Sequence, residues 1–171
     1  MNGVIAFIRF VDRINYIIGK YFVSWIILAL MFLSLYAVFM RRVMNNPAAW
    51  TFEILAYVFC AHLMLALGYT LYYREHVNVD IFVNRFSEKT QAVIEVVTYL
   101  VLIGVFLYFL LPAAYNFAER SWVQGERAAT GANLPVYPGK TLIPIGLALL
   151  GVQALAHVLK NLVVIATGRK I

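Results

Sequence analysis

Arg42-Val-Met-Asn-Asn-Pro-Ala-Ala-Trp-Thr-Phe-Glu53 leads into an apolar run from Ile54 to Tyr73, and Arg74-Glu-His-Val-Asn-Val-Asp80 follows it. The run is roughly 20 residues long, which at about 1.5 Å per residue matches the hydrocarbon thickness of a bilayer. Lipid asks only for the apolar run. The two polar clusters therefore answer to something else: a headgroup boundary, a partner subunit or a ligand.

The rest of the chain repeats the apolar theme. Of 171 residues, 63% are hydrophobic and 13% charged, against about 25% charged in ordinary soluble domains. Mean hydropathy is +0.81. Four segments are long enough to span: Tyr16 to Met40, Trp50 to Tyr73, Ala92 to Phe117 and Thr141 to Ala166. The first is too long for the core of a cleaved signal peptide, so the N-terminus is expected to stay as a membrane helix. The sequence thus predicts one all-α membrane domain over residues 1–171, with membrane lipid as its surroundings.

Two amphipathic segments supplement the spans. Over residues 3–14, Val4, Phe7, Ile8, Val11 and Ile14 recur at helical spacing while Arg9, Asp12 and Arg13 share another face. Over 78–88, Val79, Phe82, Val83 and Phe86 repeat the pattern. Both suit helices lying at a membrane interface. The loop Glu119 to Lys140 is long and polar, with Gly131, Pro135, Pro138 and Gly139 as breakers, and a solvated loop is the expectation.

The net charge of +6 comes from basic residues scattered at the edges of apolar runs, which is a topology signal and not a nucleic-acid footprint. Nine Lys and Arg fall on the side of the termini and five, including Arg41 and Arg42, on the other. Both termini are therefore expected in the cytoplasm. Trp50, Trp122 and Tyr137 at one boundary and Tyr72 and Tyr73 at the other read as interfacial anchors.

Few residues invite chemistry. His62 lies about 18 Å into its span and His157 about 26 Å into its own, a mismatch in depth that disfavours a haem held between them. Each is expected to be bonded within a helix interface. Gln153, His157 and Lys160 share one face of the last span with Gly146, a stripe expected to pack against protein. Glu53 sits in a first helical turn, where the dipole stabilises a carboxylate, as a solvated cap or paired with Arg41 or Arg42. Pro112 removes the amide that would bond the Tyr108 carbonyl, so a kink is expected there. Cys60 is the single cysteine and forms no intrachain disulfide. No phosphate loop, zinc-spaced set, nucleophile elbow or central carboxylate pair is present, so neither a catalytic site nor a cofactor is expected.

Taken together, Arg42, Asn45, Pro47, Trp50 and Glu53 before the second span, Gly68, His76, Val79 and Asp80 at and after its end, and Pro138, Lys140, Pro144, Leu150 and Gln153 at the fourth resemble the small membrane subunit (Q-type, DctQ-like) of TRAP transporters, the tripartite ATP-independent periplasmic systems. The second span opens on Phe52-Glu53 where that family usually carries an acidic pair. The resemblance implies a large multi-spanning subunit (M-type) that carries an organic acid inward with sodium ions, and a periplasmic substrate-binding protein that delivers it. This chain would be a non-catalytic scaffold in the bacterial inner membrane, with its interface candidates at Arg42, Asn45, Pro47, Trp50, Glu53, His76, Asp80, Lys140, Pro144 and Gln153. The competing readings are a four-helix haem or quinone anchor, and a small autonomous exporter.

Overall fold

The computed structural model describes residues 2–73, 87–129 and 132–167. Among these there is no strand, and four helical stretches of 40, 24, 35 and 31 residues are long and apolar enough to cross a membrane. The segment around 78–88, with His76 and Asp80, lies outside the described residues apart from its last two positions.

The first stretch joins α1 (Asn2–Ile17), a widened π segment (Ile18–Val23) and α2 (Ser24–Arg42) without a break. Its end has a local cause. Asn45 adopts a left-handed φ of 48°, a conformation that asparagine tolerates better than other side-chain-bearing residues. The Asn46 amide then reaches back to the Met40 carbonyl at 3.0 Å. Pro47 follows and cannot continue the helix. α3 (Ala49–Tyr72) starts two residues later, with the Thr51 hydroxyl on the Ala48 carbonyl at 2.6 Å. Asn45 and Pro47 thus serve a helix stop within this chain.

α4 (Glu88–Thr98) is capped by Ser87, whose hydroxyl accepts from the Thr90 amide. It passes through a second π segment (Tyr99–Gly104) into α5 (Val105–Val123), which contains Pro112. α6 (Tyr137–Thr167) contains Pro144 and is the centre of the bundle. Ten of its residues are buried, whereas α2 has none. α6 packs on α1, α3, α4 and α5, whereas α2 leans on α3.

Small residues set the register. A Cβ on Gly146 would meet Met64 at 2.6 Å, and one on Gly139 would meet Tyr57 at 2.9 Å. Both pairs are offset by the same 82 positions, so α3 and α6 run parallel in close contact. Gly19 of the π segment similarly lies against the Tyr69 ring and Tyr36 of α2 against Trp50, which makes the first stretch and α3 antiparallel. Leu71, Tyr99, Ile103, Leu150 and Ala154 form the apolar core, flanked by Leu67, Leu107 and Val158.

Candidate functional site

Polar side chains concentrate at the two ends of this bundle. At the end carrying α1, Asp12 and Asn15 stand one turn apart and meet Gln153 and Lys160, two turns apart on α6. Lys160 Nζ donates to Asp12 Oδ2 at 2.5 Å, and Gln153 Nε2 donates to Asp12 Oδ1 at 2.9 Å. Asn15 Nδ2 donates to Gln153 Oε1 at 2.7 Å and also to the Val11 carbonyl. Asn15 and Gln153 are fully buried, and Gly68 is required beside them because any Cβ there would collide with Asn15 Oδ1. Asp12, which the sequence groups with Arg9 and Arg13 on a polar face, turns instead toward the bundle beside buried Ile8 and Val11, because its carboxylate has partners there.

The opposite flank of α6 is tied as well. Asn161 Nδ2 donates to Glu95 Oε2 at 2.7 Å, bringing α4 to the same level. The His157 ring stacks on Tyr99, centroids 5.5 Å apart and planes 8° from parallel. The stripe of Gly146, Gln153, His157 and Lys160 therefore faces protein along its length, and its polar members link helices.

At the other end, the loop 124–136 is not simply solvated. The Ala128 amide bonds the Leu134 carbonyl and the Val136 amide bonds the Glu126 carbonyl, both at 2.9 Å, so residues 126–128 and 134–136 pair as the two arms of a small hairpin. It folds back onto α3. Glu53 Oε2 accepts from the Leu134 amide at 3.0 Å, and the Tyr57 hydroxyl donates to the Pro135 carbonyl at 2.8 Å. Glu53 is only 4% exposed. It is thus neither a solvated cap nor the partner of Arg41 or Arg42, both of which are exposed; a backbone amide aimed at α3 takes that place. Lys140 Nζ closes the base of the hairpin on Glu126 at 2.5 Å, and this ammonium holds the Glu126 carboxyl below its ordinary range. Trp122 Nε1 donates to Thr141 Oγ1 at 2.8 Å with its ring against Tyr137, so this aromatic pair also joins α5 to α6.

The parallel register of α3 and α6 separates the two span histidines. Residue 62 lies level with about residue 144, which leaves His157 roughly 20 Å further along the axis. No metal group of three or more His, Cys, Asp or Glu occurs among the described residues. Of the interface candidates, Glu53 and Lys140 come together through the hairpin and Gln153 lies at the far end. Arg42 and Trp50 are exposed, and Pro144 lies within α6.

The sequence carried no direct sign that Asp12 and Asn15 would meet Gln153 across about 140 positions. Its one usable signal was their one-turn spacing next to Ile8 and Val11.

The family described as tripartite ATP-independent periplasmic transporters, DctQ component, has a model that matches residues 30–163. The chain belongs to this family and is a small permease subunit of such a transporter. No curated protein matches it.

Proposed function

We propose that this subunit is a fixed support for the large transport subunit of a sodium-coupled importer of organic acids. The observation that carries this reading is the use made of α6: its buried polar groups link to α1 and α4. Groups committed to helix–helix hydrogen bonds hold a frame, whereas a conducting path needs ionisable groups or broken helices lining a cavity. Substrate and sodium chemistry then belong to the large subunit, and delivery to a periplasmic binding protein, as the family resemblance implies. The excess of Lys and Arg on the side of the termini supports both termini in the cytoplasm and the bacterial inner membrane as the location.

In this reading Arg42, together with the hairpin that buried Glu53 holds in place, organises the outer corner of the contact with the large subunit, while His76 and Asp80 fix the amphipathic segment at the inner surface. The test is affinity purification of a tagged chain from its own membranes. The parent is expected to bring down a large multi-spanning subunit, and Glu53→Ala combined with Asp80→Ala to weaken that recovery and uptake together. Unchanged recovery and uptake in the double variant would exclude these residues from the contact.

A further inference from the structure

Within this chain, nothing among the described residues answers the side chains of Arg41 and Arg42. They oppose the charge bias that orients the chain, they are exposed, and neither has a hydrogen bond or ion pair among the described residues. They stand at the end of a lipid-sized groove. Between α2 and α3 lies an open, almost wholly apolar cavity of about 500 Å³, to which α2 contributes Ile27, Leu30, Met31 and Ser34. These positions run i, i+3, i+4 and i+7, one face of a helix, and the next step of seven lands on Arg41. The guanidinium-bearing turn is thus about 10 Å beyond Ser34 along the same stripe.

We propose that this groove seats an anionic phospholipid, with one acyl chain along the Ile27 to Ser34 stripe and its phosphate held by Arg41 and Arg42. Charge complementarity selects this occupant. An apolar protein helix would fill the groove and leave two arginines unanswered at its mouth. A phosphodiester at the headgroup boundary meets the planar fork of arginine in the geometry it favours, and phosphatidylglycerol adds a net negative charge that phosphatidylethanolamine lacks. The site goes beyond the support role and does not depend on it.

The test reads lipid retained through detergent exchange, by mass spectrometry, on the chain purified from membranes with whatever subunit accompanies it and incubated with vesicles of phosphatidylglycerol or phosphatidylethanolamine. The parent is expected to retain phosphatidylglycerol in preference. Arg41→Gln with Arg42→Gln should lower retention about tenfold, the loss expected for charge-assisted bonds, and the paired lysine substitutions should restore part of it. Ala56→Phe fills the groove without touching the arginines and should expel the lipid as well, so a failure of the first variant to fold leaves the question decidable. Equal retention of both lipids by parent and variants overturns the site. So does stabilisation of the parent by inorganic phosphate equal to that by phosphatidylglycerol vesicles, or efficient cross-linking of a Ser34→Cys variant to the large subunit in membranes.

Discussion

Lys160 Nζ lies 2.5 Å from Asp12 Oδ2, so an ion pair joins the first helical stretch to the last across 148 positions of sequence. Each side chain keeps about a fifth of its exposure, and Gln153 completes the carboxylate's partners. Removing one member strands the other in a poorly solvated place. Asp12→Ala is therefore expected to destabilise the bundle by about 2–4 kcal/mol in equilibrium unfolding in detergent, and Lys160→Met by a similar amount. The double variant Asp12→Leu with Lys160→Met should recover a good part of the loss, since no charge is then left unpaired. Additive losses would contradict the pairing.

Gly68 makes the same joint possible by giving Asn15 room. Gly68→Ala is expected to cost about 1–3 kcal/mol, the usual range for overpacking a tight contact. Adding Asn15→Ala should relieve the clash, so thermal unfolding of the pair ought to show strong non-additivity. Gly3 meets nothing within 4 Å of an added Cβ, and Gly3→Ala serves as the neutral control.

How much of this was legible beforehand differs from one element to the next. Hydropathy gave the spans because each has to satisfy the same lipid. The α6 stripe was legible because Gly146, Gln153, His157 and Lys160 share one helical face. The partners of that stripe were not, because pairing Asp12 with Lys160 depends on tertiary register that no local pattern encodes. Glu53 was misjudged for a related reason. A carboxylate in a first turn looks like a cap, and only the fold-back of 124–136 brings the Leu134 amide to it. The continuity of α1 into α2 was hidden as well, since the amphipathic pattern over 3–14 reads as a separate interfacial helix, whereas α1, the π segment and α2 run on as one stretch.

Glu53 should report on the hairpin directly. Glu53→Gln keeps an oxygen for the Leu134 amide and is expected to leave the loop docked. Glu53→Ala leaves a backbone donor unmet and should loosen the loop by about 1–3 kcal/mol. Limited proteolysis between residues 126 and 136 checks this, with faster nicking expected for the alanine variant alone.

Acid should act on the same hairpin through Glu126. The Lys140 ammonium holds the folded-state carboxyl below its ordinary value of 4.5. A depressed folded value means that the stabilising contribution is present above the ordinary value and is lost as pH falls through the lower, folded one. Nicking of the loop is therefore expected to rise below about pH 4.5 in the parent. Lys140→Gln should remove that acid dependence while nicking the loop faster at neutral pH. An identical acid limb in the variant would assign the effect elsewhere.

The support role itself is tested most directly by sodium-driven uptake into liposomes supplied with the binding protein and loaded with this chain alone, with the large subunit alone, or with both. The account predicts no flux from this chain alone and full uptake only when both are present. Flux carried by this chain alone, or undiminished uptake by the large subunit without it, would contradict it.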